Sequence, residues 1–307
     1  MRRPFNIQAI TSALGSEKIS IRSTYPDFSS VIEKTGIESV RASEVDATEL
    51  AIAASKNLLS ENVSDRELIG AVVVVTQSPS YFLPGISSVV HHELNLRKDC
   101  ITFDVSQGCA GFVHGLIIAN GFLNDLSNVL LICTDTYRRK ISQKDRATVS
   151  VFSDGATACL LTGEAKIKIL AEEHYSEGSG RRFLYQRTDS SENSGFLHMS
   201  GSDVFVFAKR VVEKQIRNVV RVANLSPADV DLVVPHQASL LVLSELARKL
   251  TDFSEFVIDV QDTGNLVSSS IPFILQNRLQ SLRTGTTVLS GFGVGLSSSS
   301  VVLSGIN

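Results

Sequence analysis

Apolar and polar positions along the 307-residue chain fall into two rhythms. Short, continuous apolar runs occur at 71–75, where β-branched residues dominate, and at 129–133, and strands are also read at 101–105, 231–235, 256–260, 286–290 and 298–303, where polar residues are interleaved. Runs of that length and composition predict strands covered on both faces. Between them, apolar residues recur every three or four positions. Over 46–62 they fall at Leu50, Ala54 and Leu58, behind an Asp46/Thr48 cap with Glu49 three residues after Asp46, which predicts a capped helix. The stripe Val204, Phe207, Ala208, Val211, Val212, Ile216, Val219, Val220 predicts a helix over 202–223, and shorter helices are expected at 31–36, 86–95, 240–249 and 270–279. Residues 5–15 alternate as a first strand, and 145–161 read as strand, turn at Asp154-Gly155, strand. Glu, Ser, Gly and Arg interrupt the periodicity from 172 to 198, which reads as a long loop excursion. Strands alternating with helices predict an α/β layered fold.

The two ends of the pattern echo each other. Phe103-Asp-Val105, a turn, Gly108-Cys109 and a helix return as Ile258-Asp-Val260, a turn, Gly264-Asn265 and a helix. Val72-Val-Val-Val-Thr-Gln77 returns as Leu232-Val-Val-Pro-His-Gln237. The offset of about 155–160 residues is one domain length, so the chain reads as two duplicated halves, 1–165 carrying Cys109 and 166–307 carrying His236 and Asn265. Equivalent turns of such halves meet near a pseudo-twofold axis, at strand ends where α/β folds build sites.

Composition narrows the function classes. A net charge of −3 and a pI near 6.1, with no basic run, argue against nucleic acid or an anionic membrane surface as partners. No run approaches 18 apolar residues, so no membrane span is expected. The four cysteines, Cys100, Cys109, Cys133 and Cys159, form no C-x-x-C, and no Cys/His cluster has metal-ligand spacing. A reducing, cytoplasmic setting without disulfides, metal or bound cofactor is expected.

Cys109 follows a strand and a Gly-flanked turn and precedes a helix apolar nearly all round. Unpaired N–H groups and the dipole at a helix N-terminus favour a thiolate there, while a packed structural cysteine is the plain alternative. His236 taken alone reads as a core histidine, and Asn265 after Gly264 as a turn residue. Gly291-Phe-Gly-Val-Gly295 lacks the Lys-Ser/Thr of a phosphate loop and leads into a strand. His91, His92, His114, His174 and His198 pair at no ligand spacing and read as structural.

Taken together, these motifs resemble one family. Asp104-Val-Ser-Gln-Gly-Cys-Ala-Gly-Phe112, Asp145-Arg146, Phe152-Ser-Asp-Gly-Ala-Thr-Ala158, Met199-Ser-Gly-Ser-Asp-Val-Phe205, Val234-Pro-His-Gln-Ala238, Gly264-Asn265 with Ser270-Ile-Pro272, and Gly291-Phe-Gly-Val-Gly295 stand in the order found in β-ketoacyl-acyl-carrier-protein synthase III enzymes of the thiolase superfamily. The resemblance covers nearly the whole chain. It implies a thiolase fold, two duplicated αβα halves in a five-layered αβαβα arrangement, and a homodimer. It implies that Cys109 takes an acyl group from an acyl-coenzyme A or acyl-carrier thioester. Decarboxylative condensation with a malonyl-carrier thioester then follows, with His236 and Asn265 donating to the enolate. The backbone N–H groups of Cys109 and Val294 would form the other oxyanion hole. Arg146, Met199, Gly201, Phe205, Ala238, Ser239 and Phe292 are implied to bind substrate. An alternative on the same fold is transfer of the acyl group to an alcohol or amine. A cysteine hydrolase is disfavoured, because no papain-like signature surrounds Cys109.

The chain departs from the family pattern where donor and carrier are recognised. It has no Trp, and Ser30 stands where coenzyme-A-using members place one against the residue matched by Arg146. Ser239 and Leu241 replace the usual Asn and Arg after Pro-His-Gln-Ala. The changes leave the Cys, His and Asn in place.

Overall fold

The apolar runs become strands and the periodic stretches become helices, in an order that repeats. The computed structural model describes residues 2–61, 63–123, 128–187 and 195–306. From the N-terminus come β1 (Phe5–Leu14), β2 (Glu17–Ser20), α1 (Ile21–Thr24), α2 (Ser29–Thr35), β3 (Ser39–Ala42), α3 (Ala47–Glu61) and β4 (Ile69–Val75). Then follow α4 (Ile86–Glu93), β5 (Ile101–Val105), α5 (Gly111–Phe122), β6 (Asn128–Asp135), α6 (Arg146–Val149) and the long β7 (Gly155–Ser176). The hairpin β8 (Leu184–Gln186) and β9 (Leu197–Met199) leads to α7 (Gly201–Val222), β10 (Leu232–Pro235) and α8 (Leu240–Lys249). The chain ends with α9 (Ser270–Leu275), α10 (Leu279–Thr284), β11 (Thr286–Gly293) and β12 (Ser297–Gly305).

β7 serves both halves. Residues 155–162 pair antiparallel with β1 and β6, and residues 167–176 pair antiparallel with β12. β4 lies parallel between β6 and β5. On the other side β11 is antiparallel to β12 and parallel to β10. The two strand orders therefore match, β5-β4-β6-β7 against β10-β11-β12-β7, with β1 outside β7 in the first half.

Alternation along the strands builds the layers. Val72, Val74, Leu130 and Ile132 pack under α3 and α4 on one face, while Val73, Val75, Leu131 and Cys133 face the other way. Those inward residues share a core with α5, α9 and the inner face of the second half, Val234, Leu289, Val301 and Leu303. The opposite face of that half, Val233, Val288 and Val302, packs under α7 and α8. The result is α, β, α, β, α, with α5 in the middle layer. A helix between two sheets must be apolar all round, which is how α5 reads in sequence. α7, in an outer layer, buries only a stripe: Phe207, Ala208, Val211, Val212, Ile216, Val219 and Val220.

Local signals explain the element ends. Asp46 accepts from the Thr48 and Glu49 N–H groups at 2.9 and 3.0 Å, and Glu49 Oε2 accepts from the Asp46 N–H at 3.2 Å, closing the expected capping box at α3. Four readings need correction. Residues 146–149 are the helix α6 rather than a strand, because Asp145 caps it by accepting from the Ala147 N–H at 3.0 Å. Residues 256–260 form one bridge, Phe256 to Val233, and then leave the sheet as the Asp259 N–H turns to Gln237 Oε1 at 2.7 Å. The helix expected over 270–279 stops at Leu275 and resumes at Leu279, since Arg278 sits outside helical geometry. The excursion at 172–198 is partly strand: β7 runs to Ser176 and β8 pairs with β9. Residues 188–194 of it lie outside those described. Among the described residues no helix is long and apolar enough to cross a membrane.

Candidate active site

Three strand ends converge on one place. β5 ends at Val105, a tight turn closes with the Gly111 N–H on the Gly108 carbonyl at 2.7 Å, and Cys109 sits in it just ahead of α5. β11 crosses this turn directly. A side chain at Gly293 would place its Cβ 2.8 Å from Cys109 Cβ and 3.0 Å from Sγ, and Gly293 has φ of +157°. Only glycine lets the strand approach the thiol this closely. The following residue, Val294, is not among the residues with positive φ, so its backbone carries a side chain without strain.

His236 follows directly on β10, its N–H bonded to the Ser290 carbonyl at 2.8 Å. Its ring meets Phe292 edge-on, with centroids 5.5 Å apart. Phe292 lies between the two glycines that pass over Cys109 and Ala110, so one short stretch of β11 touches both the cysteine turn and the histidine. Asn265 is held by its backbone. Its N–H donates to the Val151 carbonyl and its carbonyl accepts from the Ser153 N–H, both at 2.9 Å. Gly264, at φ +59°, lies so close to the Val151 carbonyl that a Cβ would stand 2.7 Å away. Asn265 Oδ1 accepts from the Val267 N–H at 2.8 Å, which leaves the amide NH₂ as the free end.

The electrostatics follow from burial. Cys109 is pushed up to about 12, first by burial and then by the nearby Asp135 carboxylate, while the N–H groups of Cys109 and Val294 oppose the rise. This corrects the expectation of a thiolate: desolvation outweighs the helix N-terminus, and the resting group is a thiol. Two backbone N–H groups nevertheless point at the sulfur. His236 is driven down to about 3 by burial, with a weak upward pull from the Val267 backbone, so it is a neutral imidazole at pH 7. Its Nδ1 is buried without a hydrogen-bond partner among the described residues.

A cleft of about 870 Å³ opens beside the cysteine turn, lined by Gln77, Phe82, Tyr137, Arg181, Leu197 and Val294 among others. Of the residues implied to bind substrate, Met199, Phe205 and Ala238 edge the apolar cluster that contains Cys109 and Phe292. Ser239 stands at the N-cap position of α8 without a side-chain cap hydrogen bond, and Gly201 opens α7 with nothing within 4 Å of a built Cβ. None of these lines the cleft, whereas Val294 does. Arg146 is exposed, with its guanidinium 5.0 Å from the centre of the Phe28 ring, and Phe28 stacks on Tyr25 at 4.8 Å. The aromatic partner of Arg146 is thus Phe28, and Ser30 is exposed on α2. Among the described residues there is no group of three or more His, Cys, Asp or Glu able to hold a metal ion.

The comparisons agree with this architecture. The family profile for 3-oxoacyl-(acyl-carrier-protein) synthase III matches residues 103–178, and the profile for its C-terminal part matches 220–304. The chain is 33% identical over 282 residues to the β-ketoacyl-(acyl-carrier-protein) synthase III of Aquifex aeolicus, covering 89% of each chain. It is 30% identical to that of Clostridium novyi, covering 86% of each. The chain belongs to the β-ketoacyl-acyl-carrier-protein synthase III family. The crystal structure of the Aquifex aeolicus synthase superposes with a TM-score of 0.88 at 28% identity, over 98% of this chain and 99% of that one. The priming β-ketosynthase of the R1128 polyketide pathway gives 0.88 at 28% identity, over 99% and 96%. The fold is the thiolase fold of condensing enzymes.

Within this synthase III framework the structure adds residues that the sequence did not single out. Asp135 ends β6 and is fully buried, and burial raises its pKa to about 6 against hydrogen bonds from Gln77, Ser78 and Ser268. Gln77 Oε1 accepts from the Tyr137 hydroxyl at 3.0 Å. A lone acid ending an otherwise apolar run was the available signal for Asp135. The positive φ of Val267, +52°, had none.

Proposed function

We propose that this chain is a decarboxylating acyl-thioester condensing enzyme that uses Cys109 as nucleophile and His236 and Asn265 as enolate donors. The observation carrying the reading is the passage of Gly293 over Cys109, a built Cβ lying 3.0 Å from Sγ, which brings the Val294 N–H to the cysteine turn beside the Cys109 N–H. A carbonyl oxygen developing negative charge on an acyl group bound there would meet both donors. In the first half-reaction the sulfur bonds to the acyl carbon, the donor's C–S bond breaks, and the thiol proton leaves with the released thiol. In the second, a malonyl-carrier thioester loses carbon dioxide. The electron pair moves to the α-carbon and thioester oxygen, where the Asn265 amide N–H and the neutral His236 ring stabilise it. The α-carbon then attacks the acyl carbon, and the Cys109 sulfur leaves and takes up a proton.

The similarity to β-ketoacyl-(acyl-carrier-protein) synthases favours condensation over transfer to an alcohol or amine. The donor is an acyl thioester on coenzyme A or a carrier protein, and no bound cofactor enters the scheme. A substrate-binding role for Met199, Phe205, Ala238 and Phe292 is supported by the apolar cluster they share with Cys109, behind the lining of the cleft. A boundary between the halves at 165/166 is supported by β7, whose pairing changes from β6 to β12 across that point. Buried free thiols suit the reducing cytoplasm.

A homodimer is supported by β5, an edge strand with Ile101 50% exposed. An unpaired apolar edge is a template for a second copy. Ile101→Lys should shift the protein toward monomer in sedimentation.

Two experiments test the chemistry. Cys109→Ala should abolish the covalent acyl adduct seen by intact-protein mass spectrometry on exposure to a panel of acyl-coenzyme A and acyl-carrier donors. An adduct persisting in that variant refutes the nucleophile. Wild-type protein that transfers its acyl group to alcohols without decarboxylating a malonyl thioester refutes condensation.

A further inference from the structure

Asp135 takes no part in the steps above, yet it joins the two halves of the site. Its Oδ1 accepts from the Gln77 N–H at 2.9 Å and from the Ser78 hydroxyl at 3.1 Å. Ser78 Oγ in turn accepts from the Thr136 N–H at 2.8 Å, which locks the end of β6 to the loop after β4. On the other side Oδ2 accepts from the Ser268 hydroxyl at 2.7 Å, and the Ser268 backbone N–H is turned to the carboxylate as well. Two residues back along β6, the Cys133 carbonyl accepts from the Ser269 hydroxyl at 2.9 Å. The end of β6, in the half that carries Cys109, therefore grips residues 268 and 269 of the half that carries His236 and Asn265.

What that grip holds is Val267. A β-branched residue at φ +52° is strained, and such a conformation persists only where its surroundings over-determine it. In this conformation Val267 gives its N–H to Asn265 Oδ1 at 2.8 Å, and its backbone lies against the His236 ring. Val267 thus holds the Asn265 amide directly and borders the His236 ring, whose other neighbour is Phe292. The tethers on its C-terminal side end at Asp135 and Cys133.

We infer that Asp135 is a positioning residue for the decarboxylation half-reaction: by holding Ser268 it fixes Val267, and through Val267 it aims the Asn265 amide and the His236 ring at the malonyl thioester oxygen. The inference rests on the condensing reading given above. It also makes the two half-reactions respond differently. The Asp135 carboxylate opposes ionisation of Cys109, so the charge that orders the second step hinders thiolate formation in the first.

The test measures the half-reactions separately in Ser268→Ala and Asp135→Asn. Ser268→Ala removes one hydroxyl, keeps the Asp135 charge and changes little volume. Its malonyl-thioester decarboxylation kcat should fall by at least about tenfold, as expected when donors are misaimed. Loading of Cys109 by an acyl thioester should stay within about twofold, since nothing ordering the cysteine turn is lost. In Asp135→Asn the pH profile of Cys109 alkylation by iodoacetamide should move to lower pH while decarboxylation slows. A residue that merely supports the fold would slow both half-reactions together and leave the alkylation profile in place. Ser268→Ala with both rates unchanged, or both slowed equally, overturns the inference while leaving the condensing reading intact. Wild-type protein that neither loads nor decarboxylates overturns the condensing reading, and the inference with it. If Asp135→Asn does not fold, the Ser268→Ala comparison decides alone.

Discussion

A histidine sealed from water with Nδ1 unbonded has given up hydration without replacing it, an arrangement that costs stability and is kept where a ligand supplies the missing partner. His236 pairs that cost with a pKa near 3, so at pH 7 the ring offers an N–H without a positive charge. His236→Ala should therefore still form the acyl adduct on Cys109, because the N–H groups of Cys109 and Val294 do not depend on the ring. Its malonyl decarboxylation rate should fall by about a hundredfold or more, as when one oxyanion donor is removed. Comparing adduct formation by mass spectrometry with carbon dioxide release checks both halves of that statement. Taken one at a time Cys109, His236 and Asn265 read as core or turn residues, and what made them legible was their joint occurrence within a set of motifs in one family's order. The charge state of the thiol was not legible. The sequence places it at a helix N-terminus, but its desolvation depends on β11 lying over it, a contact between residues far apart in the chain.

The strands and helices were legible where a run decides its own state. Val72 to Val75 is β-branched throughout and covered on both sides, and α7 shows its buried stripe in spacing alone. The misread segments are those where a cap or a long-range partner wins. Asp145 turns residues 146–149 into helix, and Gln237 draws Asp259 out of the sheet. At the site the decisive element is β11, whose glycines let it lie on the cysteine turn. Gly293→Ala should lower stability by about 1–3 kcal/mol, the range for overpacking, because the new methyl meets Cys109 at 2.8 Å. It should also slow acylation by more than about tenfold by displacing the Val294 N–H. Gly121→Ala on α5 is the matching control. Nothing lies within 4 Å of its built Cβ, so the helix should be unchanged or gain up to about 1 kcal/mol. Chemical denaturation midpoints and acylation rates for the two variants separate close approach from helix propensity.

At the scale of the whole molecule, the site is a seam between two halves that share β7 and meet again where Asp135 holds Ser268. Two buried groups on this seam titrate against each other. His236 drops from 6.5 to about 3, so the unfolded chain binds the extra proton and His236 lowers stability as pH falls from 6.5 toward 3. Asp135 rises from 3.8 to about 6, so the folded chain binds the extra proton, and its contribution to stability is lost as pH rises from 3.8 through 6. Between about pH 4 and 6 the two slopes oppose and nearly cancel. Asp135→Asn removes only one of them. Measured by urea denaturation, the stability of wild type minus that of Asp135→Asn should fall by about 1.4 kcal/mol for each pH unit from 4 to 6 and then level off. Taking the difference removes the surface carboxylates common to both proteins, such as Asp252 beside Arg217, whose effect runs the other way. A flat difference would mean that the Asp135 carboxylate keeps an ordinary pKa inside the fold, and that hydrogen bonds from Gln77, Ser78 and Ser268 offset its burial in full.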